Sequence, residues 1–252
     1  MKPLISVLVA ARRAEPWLAG CIDAVLDQRL PPGWSLEILL GVDACNATLE
    51  VAKTCEDPRL QRFHFPQQVG PYVIFNTLMR HAGGDLLCRF DADDVMLDDF
   101  LESQIRACES GTDITRTWFT FTDPNLNPTD HVLAHEAYHP PGGLSTRPAD
   151  GQLVFARRVW DGIGGFRAWP CGADTEFAIR ARLSGYRTQI IERHLYLRRS
   201  HAASLTAHPD TNFKSQMRNR LSDITQKHEA AIMNDEMDAF VPPQCADAYR
   251  VV

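Results

Sequence analysis

Three carboxylates close an apolar run: Asp91-Ala92-Asp93-Asp94 follows Leu86 to Phe90. Carboxylates set this close repel one another, and a divalent cation removes that cost. Mg²⁺ or Mn²⁺ takes hard oxygen ligands, ordinarily one or two carboxylates together with substrate phosphates. The competing reading is a solvated acidic turn leading to a helix near Asp98-Asp99, where the dipole favours negative charge. A second acid, Asp43, ends the run Leu36 to Val42, and Asp174 with Glu176 stands where a helix should open. A carboxylate beside an acceptor hydroxyl can take its proton as a bond forms. Arg198, Arg199 and His201 lie in a basic stretch, with nine Lys/Arg against two acids over 180–220. Guanidinium groups bind phosphate bidentately, and histidine adds a metal or phosphate contact. A solvated cationic face is the alternative for Arg198.

Strands and helices must alternate to bring these groups together. Leu4 to Ala10 is too apolar to have a solvent face and reads as a buried strand. Pro16 suits a first helical position, and Trp17, Leu18, Cys21, Ile22, Val25 and Leu26 then form one stripe. Strands follow at Leu36–Val42, Leu60–Phe65 and Leu86–Phe90, with helices at Thr48–Cys55 and between Gly70-Pro71 and Gly83-Gly84. This alternation predicts a parallel, doubly wound sheet. Ligands of such sheets bind beyond the carboxyl ends of the strands, where Asp43 and the Asp91 cluster fall. Further on come a helix over Leu101–Cys108, a β-rich stretch over Asp113–Thr122 and a long loop over 123–151. A strand at Leu153–Ala156, a helix from about Ala173 to Ser184, and a peripheral helix and tail over 221–252 complete the chain.

With 252 residues, 44% hydrophobic and 23% charged, the chain suits one large α/β domain or two small ones, and excludes disorder, collagen and coiled coil. A net charge of -6 argues against nucleic acid as partner. Seven scattered cysteines without a CxxC read as reduced thiols of a cytoplasmic protein. The longest apolar run, Leu4 to Ala11, falls far short of the ~20 residues that span a bilayer, which leaves peripheral membrane contact open.

Several segments in order resemble family 2 glycosyltransferases of the GT-A fold, over about Ile5 to Thr206. Ile5 to Gln28 is similar to the family's opening strand and helix, and Gly70-Pro71-Tyr72 with Asn76 to the segment before its DxD strand. Phe90 to Asp94 matches the DxD motif. Asp161 to Phe166 resembles the turn before the acceptor-side helix, Gly172 to Phe177 the GEDxDF motif, and Leu195 to Arg199 with His201, Ser204, Leu205 and Thr206 the closing segment. Two departures stand out. Ala173-Asp174 keeps one acid of the family's pair, and Val42-Asp43-Ala44-Cys45-Asn46 keeps one Asp of DDGSxD.

The resemblance implies a mostly parallel, Rossmann-like sheet flanked by helices, as one domain over 1–206 (nucleotide half 1–100, acceptor half 101–206) with a helical extension over 207–252. It implies inverting, metal-dependent transfer from a nucleotide-sugar, expected to be a UDP-sugar, to an acceptor hydroxyl of a glycan or lipid-linked molecule, as in bacterial surface polysaccharide synthesis. Asp93 and His201 would hold Mn²⁺ or Mg²⁺. Asp43, Asp91, Asp93, Arg198 and Arg199 would hold the donor, Asp174 would be the base, and Trp169 and Glu176 would meet the acceptor.

Other signals carry less. His131, His135 and His139 are spaced by four and could share a helix face with Glu136, but Pro140-Pro141 follows immediately and argues against a zinc site there; Gly162 to Gly165 is no dinucleotide fingerprint, and Trp118, Phe119 and Phe121 suit a sheet core. A haloacid-dehalogenase-like phosphohydrolase would use Asp91 in DxDx[TV], but the later phosphate-binding Lys has no convincing candidate. A nucleotidyltransferase would want a glycine in Ala11-Arg12-Arg13. A non-catalytic nucleotide-sugar binder remains the third alternative, suggested by the reduced acidic pair.

Overall fold

The computed structural model of the chain describes residues 2–130 and 141–251. The expected alternation is present: β1 (Leu4–Ala11), α1 (Leu18–Leu26), β2 (Ser35–Asp43), α2 (Asn46–Thr54), β3 (Leu60–Phe65), α3 (Pro71–His81) and β4 (Leu86–Asp91). β1 lies between β2 and β4, and β3 flanks β2, all parallel. Ala10 aligns with Asp91 and Ala11 with Val42, so the carboxyl ends of β1, β2 and β4 lie level at one edge of the sheet, where ligands of such sheets bind. The β1 interior and Ile38 to Val42 are buried, as continuous apolar runs covered on both faces require. Helix α3 packs on β1 and β2.

The second half extends the same sheet. β5 (Val95–Met96), α4 (Phe100–Glu109), β6 (Ile114–Thr122), β7 (Leu153–Ala156), α5 (Arg157–Ile163), α6 (Ala173–Leu183), β8 (Thr188–Arg199), α7 (Gln216–Met233) and β9 (Tyr249–Val251) follow. The order across the sheet is β5-β8-β6-β7-β4-β1-β2-β3-β9. β7 runs antiparallel to both β4 and β6, whereas β8 is parallel to β6.

Several elements differ from the sequence reading, among them the two-residue β5, which was not anticipated. Helix α1 starts at Leu18, so Pro16 lies outside it and Trp17 is its N-cap. α5 was not anticipated. Charged residues mask the long strand β8, whose first half is largely exposed and whose Leu195 and Tyr196 are buried. In the tail, β9 pairs antiparallel with the edge strand β3. The approach to β9 is laced into the body: Val241 exchanges backbone hydrogen bonds with Ile163 and Gly165, and Asn76 bonds both Phe166 and Gln244. His131, His135 and His139 lie outside the described residues.

Candidate active site

The acidic cluster is assembled by strand pairing. Immediately after the acids, β5 pairs antiparallel with β8, Val95 opposite Leu197 and Met96 opposite Tyr196. That register lays Asp93-Asp94 beside Arg199 and brings in the residues just after it. The Arg199 N–H donates to Asp94 Oδ1 at 2.9 Å, and its Nε donates to the Asp93 carbonyl at 2.7 Å. His201 Nε2 lies 2.8 Å from Asp93 Oδ2. The Gln152 side-chain amide, just before β7, donates to both Asp91 and Asp94.

Arg89 is the central cation. Its side chain is 5% exposed, with Nη2 3.1 Å from Asp91 Oδ1 and 3.9 Å from Asp174 Oδ2. Its guanidinium carbon stands 4.7 Å from the Phe75 ring centroid and 5.7 Å from that of Tyr72. Gly151 closes over this group. A Cβ there would meet Arg89 Nη1 at 3.1 Å, Asp91 Oδ2 at 3.5 Å and Asp174 Oδ2 at 3.7 Å. Its neighbour Asp150 pairs with Arg116 and accepts from the Thr175 hydroxyl at 2.9 Å, tying the loop to α6.

Asp174 stands in the first turn of α6 because Gly172, at φ 77°, supplies a left-handed N-cap. Burial pushes the Asp94 carboxyl well up, with Asp93 and Asp91 adding repulsion. Asp91 is raised too, by enclosure working against the pull of Arg89. Both would gain from a nearby cation.

Three expected contacts are recast by the geometry. Arg199, expected on the donor phosphates, is buried with donors committed to the Asp93 and Pro124 carbonyls, so it braces the acidic turn. Asp43 is 3% exposed, and its two oxygens accept from the Val69 and Gly70 N–H groups. It therefore shapes the loop into α3 instead of standing free for the donor. Glu176, expected at the acceptor, is 1% exposed and held by Arg180 and Arg167, each at 2.8 Å. Arg180 in turn donates to the Ile163, Gly165 and Ala239 carbonyls. Arg198 stacks over Phe119 and Phe121 at 5.4 and 5.6 Å. Trp169 is half-buried between Arg167 and His228. Arg89 carried a signal, being a charge inside an apolar strand; Gln152 and Gly151 carried none.

Among the described residues, no three His, Cys, Asp or Glu side chains form a ready-made metal cage. The Asp93–His201 pair is a partial set, suited to a hard or borderline cation whose remaining ligands come from phosphate oxygens and water. The donor chemistry thus fits a divalent cation. No helix among the described residues is long and apolar enough to cross a membrane.

An acid cluster thus stands at the carboxyl ends of strands in one mixed sheet, with a helix-opening carboxylate close by. Residues 6–172 match the model of glycosyl transferase family 2, and the chain belongs to that family. A Bacillus subtilis (strain 168) protein named as a teichuronic acid biosynthesis glycosyltransferase, TuaG, is 28% identical over 153 residues. That match covers 57% of this chain and 56% of the relative's length. S. aureus TarS 1-349, solved in complex with UDP-GlcNAc, aligns with a TM-score of 0.63 at 14% identity, over 92% of this chain and 71% of the other. The mannosyltransferase PcManGT from Pyrobaculum calidifontis, solved with GDP-Man and Mn²⁺, aligns with a TM-score of 0.59 at 19% identity, over 97% and 67%. The fold is the GT-A fold of these glycosyltransferases.

Proposed function

We propose that the protein is an inverting, metal-dependent glycosyltransferase that moves a sugar from a nucleoside diphosphate, UDP in the first instance, to an acceptor hydroxyl. The observation that carries this is the placement of Asp174 against Arg89, across from the Asp91–Asp93–His201 group at the end of β4. Residues 1–100 would hold the nucleotide, 101–206 the acceptor, and 207–252 would extend the domain. Asp93 and His201 would hold Mn²⁺ or Mg²⁺, which supplies charge stabilisation to the departing diphosphate. Asp91 and Arg198 would contact the donor. Asp174 would accept the hydroxyl proton as the new C–O bond forms and the anomeric carbon–phosphate oxygen bond breaks, later releasing that proton to water. A single displacement of this kind inverts the anomeric centre. Trp169 offers an apolar ring on the α6 side for the acceptor.

The sequence likeness to a teichuronic acid biosynthesis enzyme supports a role in bacterial surface polysaccharide synthesis; in this reading the protein works in the cytoplasm on a glycan or lipid-linked acceptor. The test is thermal stabilisation by UDP, GDP and ADP with Mn²⁺ or with chelator. A ligand at 100 times its dissociation constant stabilises by about 2.7 kcal/mol. UDP should rank first, and Asp93→Asn should abolish the metal-dependent part. Equal stabilisation in chelator removes the metal from the reading, and a preference for GDP removes uridine.

A further inference from the structure

His201 approaches Asp93 through Nε2, while its Nδ1 is buried and has no hydrogen-bond partner among the described residues. A metal-ligating histidine ordinarily donates its second ring nitrogen to an acceptor, which fixes the tautomer and the ring plane. Here the support comes instead from an aromatic ring stacked against the imidazole face. The Trp17 ring lies 4.0 Å from the imidazole, centroid to centroid, at 36° between planes. Arg199 stands 5.7 Å from the same indole.

Trp17 is well placed to act as a fixed wall. It caps α1; that helix is fastened to the acidic segment, and the residues just after the helix to those just after the acids. The Cys21 thiol, one turn on, donates to the Asp91 carbonyl at 3.6 Å. Gln28 donates to the Leu97 carbonyl at 2.8 Å and accepts from the Leu101 N–H at 2.9 Å. His201, by contrast, begins a run of turns between β8 and α7. The indole is therefore held relative to the carboxylates, and the imidazole rests on it.

We propose that Trp17 is the positioning residue for His201: its ring, stacked against the imidazole, holds His201 so that Nε2 stays beside Asp93, where its lone pair can take a divalent cation. This rests on the reading of His201 as a metal ligand. The sequence gives Trp17 a second identity as part of the apolar stripe of α1, so the test must separate bulk from ring stacking. Trp17→Leu keeps apolar bulk and removes the aromatic face; Trp17→Phe keeps a smaller face. Mn²⁺ affinity, read by electron paramagnetic resonance with UDP present, should fall about 10–100-fold in Trp17→Leu, the usual loss when a ligand's support is removed. Trp17→Phe should recover most of it, and UDP affinity in chelator should not change. Wild-type Mn²⁺ affinity in Trp17→Leu, or equal losses in Trp17→Leu and Trp17→Phe, overturns the proposal. His201→Ala distinguishes the deeper failure: if it binds Mn²⁺ as wild type does, the histidine is no ligand at all.

Discussion

The Arg89 guanidinium reaches to 3.9 Å from the Asp174 carboxylate, although one residue lies in the central sheet and the other opens a helix some 85 positions later. The same nitrogen is 3.1 Å from Asp91. One buried cation thus sits between the carboxylate assigned to the donor and the one assigned to the acceptor, and it spaces them.

The pair Arg89 and Asp91 should show this coupling directly. In a double-mutant cycle of Arg89→Met and Asp91→Asn, followed by urea unfolding, the double variant should be less destabilised than the sum of the singles. A coupling of about 1–3 kcal/mol is expected for residues in one charged network. Additive effects would mean that Arg89 does not act on Asp91.

Asp174→Asn keeps the shape of the side chain and removes its capacity to take a proton. Turnover should fall about 10²–10⁴-fold while UDP affinity stays near wild type. The product of the wild-type enzyme should carry the anomeric configuration opposite to the donor's. A retained configuration, read by NMR of the product, would rule out the single displacement.

The nucleotide half of the fold is legible because its signals are local. Buried parallel strands are continuous apolar runs, and Gly70-Pro71 marks the start of α3 in the sequence itself. The second half depends on distant partners. β8 carries charges that look like a surface stretch until β6 and β5 pair with it. β9 has only three residues and exists because β3 offers an edge. The site divides in the same way. Asp91, Asp93, Asp174 and His201 are singled out by motif and order, and in the structure Arg89 lies against Asp91 and Asp174 while His201 lies against Asp93. The roles of Arg199, Asp43 and Glu176 were misjudged because residue type shows a charge but not what already holds it.

Glu176 tests that last point. Removing one partner of a buried ion pair leaves an uncompensated charge, here Arg180, and costs about 3–5 kcal/mol. Glu176→Ala should therefore lower the urea midpoint strongly, and Glu176→Gln less so. In Glu176→Gln that still folds, the acceptor KM should stay within about threefold of wild type, a change of under ~1 kcal/mol. A tenfold rise in acceptor KM with an unchanged midpoint would restore the acceptor-binding role.

The docking of α7 should depend on pH through His228. Burial depresses this histidine below its ordinary value, and Arg167 and Arg180 add to the shift against the opposing pull of Glu176. Its ring faces Trp169 at 6.4 Å, and its Nδ1 is buried without a partner among the described residues. The folded state therefore prefers the neutral ring, and the unfolded chain binds more protons as pH falls through this range. Stability from this site is fully present above the unfolded value of about 6.5 and is lost as pH drops through the lower folded value. Hydrogen exchange of the α7 amides should accelerate between pH 7.5 and roughly pH 5, after correction for intrinsic rates, more than that of β1. His228→Gln, which cannot charge, should remove the difference between the two elements. If the variant keeps the full acceleration, His228 is not its source and another group near Arg167 must titrate.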